Sequence, residues 1–507
     1  MKDLAGRIGA LTGWKRLMLA GAMGVALGLA HTPFGLWPLA FIAGPVLYRL
    51  WRRGGGFGVG WAAGAAFFAL TLHWIVEPFL VDAPRDGWMA PFALVLLSGG
   101  LALFWGSAFW LAGRARKGGP AVLALAWGGA EALRGGVFTG FPWVLPAYIW
   151  HDTPVAQVVS VIGPYGLSMV TLLLMLALGA RPFRYTSPVV LILLVAGWVW
   201  GDFRVGGADA AVANTSQAAT RPIVRIIQPN IPQSRKWDPA FARPNFDKAL
   251  ELTGADPELD RRPDVIIWPE VAVPFAIEDA ADARAEIAIS AGGAPVIIGS
   301  LARSPTTDRW RNALFGLAGD GTLGARYDKS HLVPFGEYMP FGELMQSIGV
   351  LSFAGRGLGM EAGDPPSALT LGGLPPFTPL ICYEGVFPRE VREGAKGADW
   401  IVLITNDAWF GQWAGPAQHL AQAQFRAIET GLPVARSANT GISAMISPYG
   451  TLKKAIRLNQ YGYQDTSLPH PAQSTIYSLI GAFAPALVAL MLFFFAAMQF
   501  LYRKERR

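Results

Sequence analysis

The stretch Pro379-Leu380-Ile381-Cys382-Tyr383-Glu384 decides how this chain is read. It opens as an apolar run of strand length and ends on the one cysteine among 507 residues. A lone cysteine excludes an intramolecular disulfide framework, and by itself is more often a buried small residue than a reactive thiol. Its surroundings weigh on that choice. Further short runs rich in β-branched residues lie at 223–227, 265–268, 296–298, 313–317, 400–404 and 443–446. Helix-like stretches separate them at 239–252, 279–289, 388–394 and 416–429. Strands alternating with helices predict an α/β domain with layered sheets, here spanning 221–473.

Outside that domain the composition changes. Hydrophobic residues make up 52% of the chain, concentrated from about residue 17 to 202 and again from 475 to 502. A bilayer core about 30 Å thick needs roughly 20 apolar residues to span it as a helix. Seven such segments are read near 17–33, 35–50, 57–76, 89–112, 119–136, 155–180 and 187–202, and an eighth at 475–502. Residues 1–205 are thus expected to form a transmembrane domain, and 206–220, rich in Gly, Ala, Asp, Ser and Thr, a linker. Residues 474–507 read as a final span with a basic tail. The first apolar run, preceded by Lys2 and Arg7, is read as an uncleaved anchor rather than a signal peptide.

Charge orients these spans. Lys2, Arg7, Lys15, Arg16, then Arg49, Arg52, Arg53, then Arg114, Arg116, Lys117, then Arg181, Arg184, and finally Arg503, Lys504, Arg506 and Arg507 all fall on one side. The opposite short loops carry only Arg85 and Arg134. Basic flanks stay cytoplasmic, so both termini are expected there and the 221–473 domain on the far side. The formal charge of +7 comes from those flanks, not from the α/β domain, and gives no support to nucleic-acid binding.

Three motifs carry the chemistry: Ile266-Ile267-Trp268-Pro269-Glu270, Tyr327-Asp328-Lys329-Ser330-His331-Leu332-Val333-Pro334-Phe335-Gly336-Glu337, and Leu380-Ile381-Cys382-Tyr383-Glu384. Singly, Glu270 reads as a surface carboxylate as readily as a base, and Lys329 as a solvated charge. Together they supply a thiol nucleophile, a base to take its proton, and a cation for the thiolate and for an oxyanion.

In this order the motifs resemble the Glu–Lys–Cys triad of the nitrilase superfamily, which implies an α-β-β-α sandwich for 221–473, inserted between transmembrane helices 7 and 8. The fuller resemblance, covering nearly the whole chain, is to the bacterial apolipoprotein N-acyltransferase family. It extends to Gln228-Pro229-Asn230-Ile231-Pro232-Gln233 with Lys236-Trp237, Thr139-Gly140-Phe141-Pro142-Trp143, Asn406-Asp407-Ala408-Trp409-Phe410-Gly411 and Arg436-Ser437-Ala438-Asn439-Thr440-Gly441. The resemblance implies a ping-pong transfer from the sn-1 ester of a phospholipid, with phosphatidylethanolamine the expected donor. The acceptor is the α-amine of an apolipoprotein's N-terminal diacylglyceryl-cysteine, in the final step of bacterial lipoprotein maturation. It implies Cys382 as nucleophile, Glu270 as general base and Lys329 as oxyanion stabiliser. Supporting roles go to Glu337, by charge pairing with Lys329, to the Tyr383 N–H, as a second oxyanion donor, and to Glu384, orienting the amine. Trp237 and Trp143 are carried as substrate-binding residues, Trp143 and Trp150 reading equally as interfacial anchors. The expected setting is the bacterial inner membrane, as a monomer with its catalytic domain periplasmic.

Other signals are weaker. Six histidines show no metal-ligand spacing, and the glycine runs lack a Walker lysine, so neither metal nor cofactor is expected. His331 reads as a structural hydrogen-bonding residue. Glu131 and Arg134 read as an interfacial ion pair at the outer end of the fifth span. A membrane-tethered amidase would share the triad but use water as acceptor. A transporter or receptor with an inactive outer domain would want polar residues along its spans, and few are present. The few residues after the last span leave no room for a fused glycosyltransferase.

Overall fold

The computed structural model describes residues 11–180, 182–213, 221–340, 342 and 359–505. The chain divides into a helical unit, Met1–Asn214 with Trp413–Phe425 and Ser474–Arg507, and an α/β unit, Thr215–Gln412 with Arg426–Gln473.

In the helical unit, α1 (Gly13–Leu29), α2 (Ala40–Arg52), α3 (Phe57–Thr71), α4 (Ala90–Ala112), α5 (Gly119–Arg134), α6 (Val159–Ala177) and α7 (Phe183–Ala213) fall on the apolar segments read from the sequence. Helix lengths, rather than positions, differ from expectation. The stretches Ala83–Arg134, Pro154–Ala177, Phe183–Gly207 and Phe483–Leu501 are long and apolar enough to cross a membrane, the first holding both α4 and α5. The segment Phe57–Thr71 reaches that length only with His73–Leu80, across a 63° bend. At 13 residues, α2 is about 20 Å long, short of a bilayer core. Gly54, at φ 94°, takes the chain out of helix just after it.

Close helix contact explains the small residues in these segments. A Cβ on Gly24 of α1 would stand 2.0 Å from the Ala63 carbonyl of α3, so only glycine permits that approach. By contrast, Val189, Leu191, Ile192, Val195 and Val199 of α7 are exposed. Such a continuous apolar face is costly in water and solvated by lipid tails. The helix α7 also runs through Gly206 and Gly207 to Ala213, so the expected linker begins as helix. Glycine in a helix costs only about 1 kcal/mol per residue, which does not by itself end one. Residues 214–220 of that linker, like Lys2, Arg7, Arg181, Arg506 and Arg507, lie outside the described residues.

The α/β unit holds two sheets. The first has the order β11-β1-β2-β3-β4-β5 and the second β10-β9-β8-β7-β6. The strands are β1 (Ile223–Gln228), β2 (Val265–Ile267), β3 (Val296–Arg303), β4 (Trp310–Leu317), β5 (Leu323–Asp328), β6 (Phe377–Ile381), β7 (Trp400–Thr405), β8 (Val434–Ala438), β9 (Ser443–Ile446), β10 (Leu452–Ile456) and β11 (Gly462–Ser467). The first sheet has a parallel centre, β1-β2-β3, flanked by antiparallel strands on both sides; in the second, parallel β6-β7-β8 has β6 at one edge and antiparallel β9 and β10 on the other side. Helical crossovers join the parallel strands: α8 (Pro239–Gly254), α9 (Ala281–Ala291), α10 (Pro388–Gly394) and α11 (Gly415–Thr430). The last long helix, α12 (Phe483–Glu505), returns the chain to the helical unit.

Period-2 alternation sets the layers. Val224, Ile226, Val265, Ile267 and Ile297 meet Ile381, Val402, Ile404 and Met445 of the second sheet in one core. The alternate residues Ile227, Ile266, Val296 and Ile298 pack with Phe246, Leu252 and Ile287 of α8 and α9. Strands buried on both faces read as continuous apolar runs, which is why they stood out in the sequence. The result is the α-β-β-α sandwich.

Within the helical unit, Gln418 of α11 takes the place of a backbone partner. Its Oε1 accepts from Trp143 Nε1 at 2.8 Å and Trp74 Nε1 at 3.2 Å. Its Nε2 donates to the carbonyls of Thr71 and Thr32 at 3.1 and 3.2 Å. Trp143 is fully buried, stacked on Phe141, and Trp150 donates to Thr171 Oγ1 from an equally buried position. Both side chains are packed inside this unit rather than on its surface. The Glu131–Arg134 pair is likewise buried: Trp105 Nε1 donates to Glu131 Oε1, and Arg134 holds the carbonyls of Phe141 and Trp143. It fixes the turn after α5 from inside the protein.

Candidate active site

Glu270, Lys329 and Cys382 each sit where a strand ends. Glu270 follows β2 through Trp268-Pro269. That turn presses against β3, where a Cβ on Gly299 would lie 2.7 Å from Glu270 Cα, so the close approach needs glycine there. Lys329 follows β5, and its N–H extends the ladder to the Asn312 carbonyl of β4 at 2.8 Å. Cys382 follows β6 at φ 52°, a left-handed conformation that a non-glycine residue adopts only under constraint. The constraint is visible next door. Glu384, fully buried, accepts from the Ile381 N–H at 2.8 Å and closes the turn Cys382–Val386.

The polar side chains converge. Lys329 Nζ donates to Glu337 Oε1 at 2.8 Å and lies 3.7 Å from Glu270 Oε1. Asn312 Nδ2 bridges the two carboxylates, at 2.8 Å from Glu270 Oε1 and 3.0 Å from Glu337 Oε1. Glu337 Oε2 accepts the Val333 N–H at 2.8 Å, which locks the turn that carries it. Glu270, Lys329 and Cys382 are all buried. The Thr405 hydroxyl at the end of β7 hydrogen-bonds Cys382 and donates to Asp407 Oδ1 at 2.9 Å.

Electrostatics follow from this packing. Burial pushes the Cys382 thiol well up from its ordinary range, and the charge of Glu270 pushes it further, against the pull of Lys329. The resting thiol is therefore protonated, and a base must remove its proton. Burial works against the charge on Lys329, but Glu337 and Glu270 more than offset it, so its ammonium is held above the usual lysine range. A fixed cation beside a neutral thiol and a carboxylate suits general-base activation of a sulfur nucleophile with electrostatic stabilisation of an oxyanion.

The remaining candidates have distinct placements. Glu384 Oε1 accepts from Tyr327 Oη at 2.5 Å, Ser330 N–H at 2.7 Å, Ser330 Oγ at 2.9 Å and His331 N–H at 3.2 Å. With Oε2 on Ile381, this carboxylate ties the Cys382 turn to the loop after Lys329, an anchoring geometry in place of the amine-orienting one expected. The Tyr383 ring packs edge-on to Phe387 and His331. His331 stacks on Phe387 and pairs through Nδ1 with Glu390 at 2.8 Å. Trp237 caps the one-turn helix Gln233–Lys236 and is 48% exposed. Among the described residues no cluster of three His, Cys, Asp or Glu side chains could hold a metal.

The sequence reading missed Asn312, and named Lys236 only within a resembling stretch, without a role. Asn312 lies inside β4, the one polar residue of the buried run 312–317. That break in the pattern was its only signal.

Comparison with known proteins places these features. Residues 223–468 match the carbon-nitrogen hydrolase family, and residues 23–177 the apolipoprotein N-acyltransferase N-terminal domain. The chain is 35% identical to an apolipoprotein N-acyltransferase from Brucella suis over 92% of each chain. It is 36% identical to one from Rhodopseudomonas palustris over 95% of this chain and 94% of that one. Among solved structures, an amidase from Nesterenkonia is similar at 19% identity and a TM-score of 0.35, covering 49% of this chain and 90% of the other.

Proposed function

The chain belongs to the apolipoprotein N-acyltransferase family, and from that premise we propose how its site works. Cys382 attacks the sn-1 ester carbonyl of a phospholipid, phosphatidylethanolamine being the expected donor. Glu270 takes the thiol proton as sulfur bonds to carbon. The tetrahedral oxyanion is held by Lys329 and by the Tyr383 N–H. Collapse breaks the ester bond, Glu270 returns the proton to the departing glycerol oxygen, and a lysophospholipid leaves a thioester on Cys382.

In the second half-reaction the α-amine of a diacylglyceryl-cysteine attacks the thioester. Glu270 takes the amine proton and delivers it to sulfur, which restores the thiol. A thioester is a better acyl donor to an amine than an oxygen ester, so the covalent stage divides one hard step into two easier ones. Glu337 and Asn312 hold Lys329 and Glu270 apart, keeping the base free of a tight ion pair. The enzyme works as a monomer in the bacterial inner membrane, its α/β unit periplasmic and its termini cytoplasmic, where lipid-anchored donor and acceptor share one surface.

The observation that carries this reading is the buried set Glu270, Asn312 and Lys329, joined by the partly buried Glu337, in electrostatic reach of a protonated Cys382. The test is a transfer assay with the full-length enzyme, phosphatidylethanolamine labelled in its sn-1 chain, and a diacylglyceryl-cysteine peptide. Label in an amide on the peptide, abolished by Cys382→Ala, is the expected result. Label released as free fatty acid, with none on the peptide, would overturn the acceptor assignment and favour an amidase-type hydrolysis.

A further inference from the structure

Lys236 ends the one-turn helix Gln233–Lys236, next to the half-exposed Trp237, yet it is itself buried. Its Nζ donates to the main-chain carbonyl of Glu270 at 3.1 Å. A lysine withdrawn from water usually faces a carboxylate. This one is aimed at the backbone of the proposed base.

The helix that carries it is tied down through side chains. Gln233 Oε1 accepts from Asn406 Nδ2 at 2.9 Å, and Asn406 Oδ1 accepts from Asn439 Nδ2 at 3.0 Å. Asn439 brackets Ile231, donating to its carbonyl and accepting from its N–H. Asn406 directly follows Thr405, whose hydroxyl hydrogen-bonds Cys382. The frame that positions Lys236 is therefore the frame that positions the thiol.

Charge balance gives Lys236 a purpose. Asp407 is neutralised by its own partner, Arg436. That leaves Glu270 and Glu337 against Lys329 alone, a net negative site. Moving the thiol proton to Glu270 does not change the total, since a thiolate and then an oxyanion take over the charge. The site is neutral throughout the reaction only with a second cation.

We propose that Lys236 is a further positioning residue of this site: its ammonium pins the Glu270 main chain and balances the negative charge that passes between Glu270, the Cys382 sulfur and the acyl oxyanion. The inference rests on the acyl-transfer reading above. The groups facing Lys236 are Glu270 and Cys382, and those facing Cys382 are Glu270, Lys329 and Asp407. Burial lowers the Lys236 ammonium to about 8, with Glu270 and Cys382 opposing that fall. Its charge is present below that pH and lost above it.

The test uses full-length enzyme in detergent and compares wild type, Lys236→Met and Lys236→Arg. Because Cys382 is the one cysteine of the chain, iodoacetamide alkylation reports on it alone and independently of any lipid substrate. Loss of a nearby cation raises a thiol's apparent pKa by about one unit or more, so alkylation of Lys236→Met at about pH 7.5 is expected roughly ten-fold slower. Lys236→Arg, which keeps the charge, is expected to restore most of the rate. Acylation by phosphatidylethanolamine should fall in parallel through kcat rather than KM, and the wild-type decline above about pH 8 should be absent in Lys236→Met. A Lys236→Met alkylation profile superposable on wild type, in a protein with unchanged Tm, would overturn the proposal. So would a loss that Lys236→Arg does not rescue together with a lowered Tm, since that is the signature of a purely structural lysine. If wild-type Cys382 alkylates normally but forms no acyl adduct, the acyl-transfer reading fails, and the alkylation comparison still decides whether Lys236 acts on the thiol.

Discussion

Replacing Glu337 by Gln preserves shape and removes one charge from the centre of the site. In the native arrangement Glu337 accepts three hydrogen bonds, from Lys329 Nζ at 2.8 Å, Asn312 Nδ2 at 3.0 Å and the Val333 N–H at 2.8 Å. A glutamine has one acceptor oxygen. Whichever way its amide is turned, its NH2 faces either the Val333 N–H or the Lys329 ammonium, so at least one buried donor loses its acceptor. Losing a hydrogen bond to a charged group costs about 1.5–3 kcal/mol. Lys329 then has Glu270, now at 3.7 Å, as its remaining carboxylate. It closes on that group and lowers the basicity the thiol needs. At about 1.4 kcal/mol per decade, acylation of Cys382 should slow by roughly 10- to 100-fold. The assay is single-turnover release of lysophosphatidylethanolamine from mixed micelles, with Tm as a control for folding. A Glu337→Gln rate within about two-fold of wild type, in a folded protein, would refute the claim that Glu337 holds Lys329 away from the base; two-fold is only about 0.4 kcal/mol.

Three further outcomes follow from the same geometry. Asn312→Ala removes the bridge between the two carboxylates; acylation should drop about ten-fold or more, as expected for one charge-assisted hydrogen bond at the base, and unchanged lysophospholipid release would count against the bridge. Glu384→Gln disrupts a buried carboxylate with five hydrogen bonds; about 2–4 kcal/mol should be lost, seen by calorimetry as a Tm lower by roughly 5–15 °C, whereas an unaltered Tm with lost activity would restore the amine-orienting role. In the helical unit, Gly60→Val places a Cβ 2.5 Å from the Trp105 carbonyl; the variant should extract in a less thermostable form by fluorescence-detected size exclusion, and a wild-type melting profile would show that α3 and α4 can separate at that point.

Much of this architecture was legible in the sequence for identifiable reasons. Parallel strands buried on both faces leave unbroken apolar runs, so β1, β2, β6 and β7 were visible, as were the crossover helices next to them. The strands that escaped notice are β5, β8, β10 and β11. Of these, β11 (Gly-Tyr-Gln-Asp-Thr-Ser) lies at a sheet edge, pairs with β1, and buries Asp465 against Arg225 at 2.8 Å. β8 is interrupted by Arg436, which is buried because Asp407 neutralises it. An ion pair between distant segments is invisible to a period-2 pattern, so both strands read as polar loop. The same limit governed the site. Glu270, Lys329, Glu337 and Cys382 were found through motif resemblance, and the geometry joins the first three. Asn312 carries no motif of its own, and Lys236 stood beside Trp237 in a resembling stretch without an assigned role; the part each plays depends on which main-chain carbonyl or carboxylate the fold brings beside it. The span lengths were misjudged for a simpler reason: hydropathy ignores where Pro, Gly and side-chain-to-backbone hydrogen bonds end a helix, as at Gly54 and at Thr71, whose hydroxyl bonds the Phe67 carbonyl at 2.9 Å.

The central claim is a covalent acyl-enzyme on Cys382. It is tested most directly by intact-mass and peptide-mapping spectrometry of the full-length enzyme after exposure to phosphatidylethanolamine of defined sn-1 chain, without acceptor. The account predicts a mass gain equal to that one acyl group, mapped to the peptide holding Cys382, removed by neutral hydroxylamine and by a diacylglyceryl-cysteine peptide, and absent in Cys382→Ala. An unmodified wild-type mass alongside continued transfer to the peptide, or an adduct that persists in Cys382→Ala, would contradict it.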